Sequence, residues 1–312
     1  MNTENDSRRL PLLFTLGSNP SLSREVSALL KTPLSPVKVA HFADGEVFAK
    51  PLCPVEGQDC FIIHSTFSPV SERVFDLLVF IDALHNAKAK RIFVLIPYFG
   101  YARQDRIIDP GDPISGLLVA KLLQSAGADE IVTLDFHSMK LLDQFPFPHT
   151  NYSATALFAE RIGKEIKDEK IPLKDICVVS PDAGGIGRAK EFAAHLGTKD
   201  IAFAKKSRPT PNHAVVHSIE GEIAKKICIV VDDIIDTAGT LCAVVRALSD
   251  NGASEVWVAA SHGIFSGQAS EIITASPIKH LYVTNSIESA HSQGEIVSIA
   301  PLLADFIQNK VC

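Results

Sequence analysis

The feature that most constrains the fold of this chain is an alternation of short apolar runs with amphipathic stretches along its 312 residues. Several runs are rich in Val, Ile and Phe, as strands covered on both faces should be. These candidate strands are 61–64, 91–97, 130–134, 176–180, 226–231, 255–260 and 279–284. Between them, the stretches 71–86, 115–125 and 240–249 carry apolar residues at helical spacing. Alternating strands and helices predict an α/β fold, with parallel sheets and helices on both faces.

A weak internal repeat divides the chain into two related halves. The segment from Gly127 to His137 resembles the segment from Gly252 to His262, and the apolar runs upstream of the two also correspond. The first half carries about ten extra residues around 105–114, in a Pro- and Gly-bearing loop at the carboxyl end of a strand. The repeat predicts two domains, 10–150 and 151–312, and the alternative is chance similarity between two generic βα units.

The strongest local signal is the stretch VVDDIIDTAGT at residues 230–240. An apolar run ends in Asp232 and Asp233, and a small-residue loop then leads into a helical stretch. Such a loop lets backbone N–H groups and threonine hydroxyls approach an anion at the positive end of the helix. The stretch predicts a phosphate monoester site, with the two acids accepting hydrogen bonds from sugar hydroxyls. The plainer alternative is an acidic strand end followed by a helix cap, and neither a GxxxxGK[ST] nor a strand-linked GxGxxG loop is present.

This stretch resembles the phosphoribosyl diphosphate binding loop shared by phosphoribosyltransferases and ribose-phosphate pyrophosphokinases. Further segments, from about residue 16 to 307, resemble the pyrophosphokinase family in its order. They are FADGEV (42–47), STFSPVSE (65–72), PYFGYARQDR (97–106), DFHS (135–138), SPDAGG (180–185) and VTNSI (283–287). The resemblance implies two tandem phosphoribosyltransferase-type domains, each a mostly parallel sheet flanked by helices. The first would be the ATP-side domain, and the second would bind ribose 5-phosphate.

The resemblance also implies an activity, which is transfer of the β,γ-diphosphate of Mg-ATP to the anomeric hydroxyl of ribose 5-phosphate. The products would be phosphoribosyl diphosphate and AMP. Mg²⁺ is the implied cofactor, and ATP and ribose 5-phosphate are the implied ligands. The family also forms homo-oligomers, and its ATP sites lie at subunit interfaces.

Site residues follow from the matching motifs. The catalytic pair is Lys206 and Arg208. The ATP-binding residues are Phe42, Asp44, Glu46, Arg103 and Gln104. The ribose 5-phosphate residues are Asp232, Asp233, Asp236, Thr237, Ala238, Gly239 and Thr240, and the metal residues are His137 and Asp182. Arginine suits polyphosphate and glutamine suits a purine edge, whereas imidazole is not a favoured ligand of Mg²⁺.

The basic segment 204–212, AKKSRPTPN, carries two prolines between apolar runs. We interpret it as a shaped loop that closes over the site as a lid. A lid of this kind neutralises charge that develops in the transition state and excludes water.

The composition of the chain indicates which kinds of partner it binds and in which cellular compartment it acts. The net charge of −6 argues against nucleic acid. No apolar run approaches the roughly 20 residues that span a bilayer, and the first residues, MNTENDSRRL, lack a signal-peptide pattern. The six cysteines form no CxxC pair, which indicates reduced thiols. We therefore expect a cytoplasmic protein with no nucleic-acid or membrane partner.

One segment departs from the family pattern. The residues after Arg106 read IIDPGDPIS, where many members carry a basic stretch that contributes to ATP binding and to control by phosphate and ADP. Asp109 and Asp112 reverse the local charge, so altered regulation is expected.

Two rival functions stay open at this point. A phosphoribosyltransferase would fit the DTAGT loop but not the ATP-type motifs of the first half. A non-catalytic regulatory homologue would be expected to lack counterparts of Lys206 or Arg208, and both residues are present.

Overall fold

The computed structural model describes residues 11–210, 213–288 and 294–311, apart from the side chains of residues 206–210 and 213–215. Its strands are β1 (Leu12–Thr15), β2 (Val37–His41), β3 (Val47–Pro51), β4 (Asp59–Ile63), β5 (Arg91–Leu95), β6 (Glu130–Leu134), β7 (His149–Tyr152), β8 (Ile176–Ser180), β9 (Ile201–Thr210), β10 (His213–Glu220), β11 (Ile227–Ile235), β12 (Glu255–Gly263), β13 (Ile278–Thr284) and β14 (Glu295–Val297). Its α-helices are α1 (Pro20–Leu30), α2 (Val70–Asn86), α3 (Ser115–Ala126), α4 (Met139–Leu142), α5 (Thr155–Asp168), α6 (Ile186–Leu196), α7 (Gly239–Asp250), α8 (Ala269–Thr274) and α9 (Ala300–Val311).

The first sheet is parallel throughout, in the order β1-β4-β5-β6-β7. Its inner strands β5 and β6 are almost wholly buried, as expected for strands that helices cover on both faces. Phe80 of α2 and Leu123 of α3 enter the same core as Val94 of β5. β2 and β3 form a separate antiparallel hairpin that packs on α2. Because its strands are parallel, this sheet gathers their carboxyl ends at one edge, where ligand sites form in such sheets.

The second sheet has the order β10-β9-β8-β11-β12-β13-β14. All of its neighbouring strands are parallel except β9 and β10, which form an antiparallel hairpin at one end. Trp257 on β12 is fully buried, and Leu248 of α7 packs into the core beside Val230 and Val258. The carboxyl ends of β8 and β11 therefore lie side by side.

The predicted α/β fold with parallel sheets is confirmed. Each predicted strand coincides with one of the strands from β4 to β13, and the three predicted helices match α2, α3 and α7 to within about one residue. The longer loop of the first half is also present. Residues 96–114 separate β5 from α3, whereas residues 236–238 alone separate β11 from α7.

The interpretation of residues 204–212 as a loop is wrong for most of the segment. β9 runs to Thr210, and its backbone pairs with β10, with Lys206 opposite Val216. Pairing with β8 ends at Phe203, so beyond that point β9 and β10 continue as a two-stranded ribbon. Each strand of a ribbon has one side without a sheet partner. That side tolerates prolines and charges, the same residue types that predict a loop from sequence.

The chain divides into two compact units. The first runs to Tyr152 and also includes the C-terminal segment that begins at Ala300, and the second comprises Ser153–Ile299. The prediction had assigned the whole of 151–312 to the second domain. The C-terminal segment instead belongs to the first unit because α9 packs on α1 and its side chains join the first core.

Aromatic and charged contacts hold α9 in the first unit. Phe306 is buried and lies edge-on to Phe93 of β5, with ring centroids 6.0 Å apart. Lys310 Nζ lies 2.6 Å from Glu130 Oε2 and 5.7 Å from the centroid of the Phe93 ring. Arg91 donates a 3.1 Å hydrogen bond to the carbonyl of Lys310. The sequence analysis did not predict this helix, and the contacts that hold it join residues far apart in the chain.

Truncating Phe306 to alanine is expected to lower the free energy of unfolding by about 3–5 kcal/mol, the usual cost of deleting a buried aromatic ring. Urea denaturation measures this change. The matched control is Phe75→Ala, since the side chain of Phe75 is 58% exposed and its removal opens no cavity. Equal losses in the two variants would contradict the assigned role of Phe306.

Candidate functional site

The DTAGT loop joins β11 to α7 in the second unit. Asp236, Thr237 and Ala238 lie between the strand and the helix, and Gly239 and Thr240 form its first turn. Ala238 precedes the helix in the left-handed region, with φ of 61° and ψ of −6°. The backbone N–H groups of a first helical turn have no partner within the helix. They therefore lie at the positive end of α7, where the sequence predicts a phosphate, and that site stays a prediction.

A second loop braces this one through backbone hydrogen bonds. After β12, the N–H groups of Ile264 and Phe265 donate to the carbonyl of Ile235 at 2.8 and 3.2 Å. Ser266 N–H donates to the carbonyl of Asp236 at 3.0 Å. Sequence reasoning missed this brace, because backbone contacts between distant segments leave no residue-type signal.

The two acids at the end of β11 form a charged cluster with an arginine. Arg188 Nη1, from the first turn of α6, lies 3.6 Å from Asp232 Oδ1 and 3.3 Å from Asp233 Oδ1. The backbone N–H of Asp233 donates to Asp232 Oδ1 at 2.9 Å. Although 24% of the Asp232 side chain reaches solvent, burial of its carboxyl, together with the like charge of Asp233, raises its pKa well above the ordinary value.

Sequence reasoning also missed Arg188, although a signal for it exists. A cation in the first turn of a helix opposes the helix dipole. Arg188 occupies that position in α6, and such a placement requires compensating acids nearby. Asp232 and Asp233 are those acids.

The Asp182 loop lies at the carboxyl end of the neighbouring strand β8. Asp182 Oδ1 accepts a 3.1 Å hydrogen bond from Gly185 N–H, and Ser180 Oγ donates to the carbonyl of Asp182 at 2.6 Å. A Cβ on Gly185 would lie 2.7 Å from Ser180 Oγ, so a larger residue here would displace the Ser180 hydroxyl. Since β8 and β11 are paired and parallel, Asp182 belongs to the same sheet edge as Asp232 and Asp233.

The first unit gathers three other candidate residues at the carboxyl edge of its own sheet. Arg103 and Gln104 are exposed in the loop after β5, and His137 is exposed after the adjacent strand β6. Gln104 N–H donates to the carbonyl of Tyr101 at 3.0 Å, and the carbonyl of Gln104 accepts a 3.4 Å bond from Gly116 N–H. The loop thus has a defined shape, with exposed side chains of the types that bind polyphosphate and a purine.

Gly100 fixes the start of that loop against the end of β4. Its N–H donates to Thr66 Oγ1 at 2.7 Å, and an added Cβ would lie only 2.4 Å from the Thr66 carbonyl oxygen. This backbone approach allows only glycine.

Gly100→Ala is therefore expected to displace the loop through a strain of about 1–3 kcal/mol. If the loop binds ATP, as the family resemblance implies, KM for ATP should rise by about tenfold or more. KM for the sugar phosphate should change less than threefold. Steady-state kinetics with each substrate varied in turn measures both values. Gly163→Ala is the control, because a Cβ there makes an ordinary contact 3.6 Å from Leu196. A KM for ATP equal to that of the unmodified protein would rule out the expected displacement.

Three ATP-site candidates, Phe42, Asp44 and Glu46, lie at the tip of the β2–β3 hairpin. Phe42 N–H donates to the carbonyl of Glu46 at 2.7 Å, and Glu46 N–H donates to Asp44 Oδ1 at 3.1 Å. The Phe42 side chain is 56% exposed. The turn exposes an aromatic ring at its tip, and the assignment of these three residues to ATP stays a prediction.

The acidic departure at 107–114 forms a turn organised by its own aspartates. Asp112 Oδ2 accepts hydrogen bonds from the N–H groups of Ile108 and Asp109, at 3.1 and 2.8 Å. The carboxylate thus fixes the loop conformation. Altered regulation by this loop stays a prediction.

The structure describes the catalytic candidates only in part, and it does not bring the two metal candidates together in one unit. The backbones of Lys206 and Arg208 lie in β9, and their side chains lie outside the described atoms. His137 and Asp182, the predicted metal residues, belong to different units. Within the described parts of the chain, no group of three or more His, Cys, Asp or Glu side chains could hold a metal ion.

A search of the described helices for membrane-spanning segments finds none with the necessary length and apolar character.

Comparison with known proteins shows that the sequence is similar to one class of enzyme. The sequence model for the N-terminal domain of ribose phosphate pyrophosphokinase matches residues 11–127, and the phosphoribosyl transferase domain matches residues 152–296. The ribose-phosphate pyrophosphokinase of Bacillus subtilis is 42% identical over 300 residues, which cover 95% of this chain and 92% of that protein. The enzyme of the same name from Clostridium perfringens is 40% identical over 309 residues, covering 97% and 95%.

A solved structure agrees with these matches. The crystal structure of phosphoribosylpyrophosphate synthetase from Mycobacterium smegmatis superimposes with a TM-score of 0.88 and 34% sequence identity. The match covers 97% of this chain and 99% of the other. The similarity therefore extends over both units and not only over the DTAGT loop.

Proposed function

Because the chain belongs to the ribose-phosphate pyrophosphokinase family, we propose that it transfers the β,γ-diphosphate of Mg-ATP to the anomeric hydroxyl of ribose 5-phosphate. The products are phosphoribosyl diphosphate, a precursor for nucleotide biosynthesis, and AMP. The observation that carries this proposal is the near-complete coverage by relatives of that name. A phosphoribosyltransferase would account for the second unit alone.

The sugar side of the reaction belongs to the second unit. We assign the 5-phosphate to the loop from Asp236 to Thr240, where the first-turn N–H groups and two threonine hydroxyls supply donors. Asp232 and Asp233 accept hydrogen bonds from the ring hydroxyls. With the sugar held at both ends, its anomeric hydroxyl is oriented for in-line attack on the β-phosphorus, and this positioning supplies much of the rate.

The nucleotide side belongs to the first unit. We assign the polyphosphate to Arg103, the purine edge to Gln104, and the adenine face to Phe42 with the acceptors Asp44 and Glu46. The exposure of Phe42 at the hairpin tip supports a contact with ATP bound to a neighbouring subunit. We therefore propose a homo-oligomer with its ATP site at a subunit interface, acting in the cytoplasm.

The metal assignment fits the donors that are present. Asp182 offers a half-buried carboxylate oriented by Gly185 N–H, and His137 offers an exposed imidazole. Mg²⁺ takes few protein ligands and completes its shell with phosphate oxygens and water, and of these two donors the carboxylate suits it better than the imidazole. When bound, the ion would neutralise charge on those oxygens. Lys206 and Arg208, on the β9–β10 ribbon, add positive charge that stabilises the transferring group.

Formation of AMP from Mg-ATP, with and without ribose 5-phosphate, tests the proposal. We expect AMP release that depends on the sugar and yields phosphoribosyl diphosphate in equal amount. No AMP under either condition would favour a phosphoribosyltransferase or a regulatory homologue. Adding inorganic phosphate to the same assay tests the acidic 107–114 loop, for which we expect little activation.

A further inference from the structure

The charged cluster at the end of β11 consists of Arg188, Asp232 and Asp233. The proposed reaction gives a role to both acids but none to Arg188. Its Nη1 atom lies within 3.6 Å of Asp232 and 3.3 Å of Asp233. Only 18% of its side chain is exposed. The arginine comes from α6, a different element from the strand that carries the two acids. A single guanidinium therefore contacts both carboxylates that we assign to the sugar hydroxyls.

Arg188 offsets the electrostatic repulsion between the two adjacent acids. Neighbouring carboxylates with little exposure repel one another, and that repulsion favours turning them apart or protonating one of them. To bind two neighbouring sugar hydroxyls, however, the two carboxylates must stay close together and both act as acceptors. A guanidinium stays charged, so one group within ion-pair distance of both acids offsets their mutual repulsion.

We propose that Arg188 is a positioning residue that holds Asp232 and Asp233 together as a paired acceptor for the ring hydroxyls of ribose 5-phosphate. This inference rests on the proposed function. Arg188 acts through the two acids and does not touch the reacting atoms. Its role is thus distinct from that of Lys206 and Arg208, which we assign to the transferring group.

A purely structural role makes different predictions. If Arg188 only joined α6 to β11, its loss would lower stability without selecting one substrate. If Arg188 contacted a substrate directly, its loss would raise KM for that substrate by the same factor whether or not the acids were charged. Kinetics that separate the two substrates, together with a double-mutant cycle, distinguish these cases.

The first experiment compares Arg188→Gln with Arg188→Lys by steady-state formation of AMP. For Arg188→Gln we expect KM for ribose 5-phosphate to rise about 10- to 100-fold, with KM for ATP changed less than about threefold. Arg188→Lys keeps the charge but loses the planar fork, so a smaller rise is expected. The matched control is Lys190→Gln, an exposed cation on the same helix, which should leave both constants unchanged.

The second experiment repeats the arginine change in an Asp233→Asn background. If Arg188 acts through the acids, Arg188→Gln should raise KM for ribose 5-phosphate by less than about threefold there, because the repulsion between two carboxylates that it offsets is already gone. An equal factor in both backgrounds overturns the inference, as does an unchanged KM in Arg188→Gln. If Arg188→Gln does not fold, Arg188→Lys is carried through the same cycle. Absence of sugar-dependent AMP from the unmodified protein is a separate result, which rejects the proposed function itself.

Discussion

Lys206→Ala is expected to lower turnover by about 10²- to 10⁴-fold, the range found when a charge that stabilises a transition state is removed. KM for ATP and for ribose 5-phosphate should change little, since neither substrate is assigned to this residue in its ground state. The physical reason is that charge accumulates on the transferring diphosphate only as the bonds rearrange. The measurement is the steady-state rate of AMP formation at saturating substrate.

The neighbouring residue supplies the control for this prediction. Lys205 lies next to Lys206 on β9, is exposed, and forms an ion pair with Glu220 on β10. Exposed pairs contribute little to stability, so Lys205→Ala should leave turnover within about twofold. Circular dichroism of both variants checks that the β9–β10 ribbon persists. Turnover of Lys206→Ala equal to that of Lys205→Ala would remove Lys206 from the mechanism.

Much of the fold was predictable because parallel strands leave a strong local signal. β6 and β8 are buried on both faces, so their sequences are continuous apolar runs that stand out from the helices between them. The DTAGT loop was predictable for a similar reason. The phosphate site that we propose there depends on small residues, acids and a helix start that follow one another in the chain.

The features that were missed depend on contacts between distant residues. The hydrogen bond from Arg91 to the Lys310 carbonyl joins positions far apart in the chain. No local sequence pattern therefore assigns α9 to the first unit. The β9–β10 ribbon was missed because prolines and charges are typical of loops, yet a ribbon with one free side tolerates both. Arg188 was missed because its partners Asp232 and Asp233 lie on another element.

Ala238→Val is expected to abolish much of the binding of ribose 5-phosphate. Ala238 has a φ of 61° and is buried, and a β-branched residue is strongly disfavoured in that region. The combined cost of backbone strain and overpacking is about 2–4 kcal/mol. If the loop must regain its shape to bind the phosphate, KM for ribose 5-phosphate rises roughly 30- to 1000-fold.

Ala238→Gly is the matched variant, because glycine adopts a positive φ without penalty and removes only one methyl group. Ala238→Gly should leave KM for ribose 5-phosphate within about threefold of the unmodified value, whereas Ala238→Val should raise it. Neither variant should change KM for ATP. Isothermal titration of ribose 5-phosphate into each variant measures the same difference without turnover. Equal binding by the valine and glycine variants would show that the left-handed conformation at Ala238 does not control the phosphate loop. Weak binding by both would show that strain alone does not account for the loss, since the glycine variant is not strained.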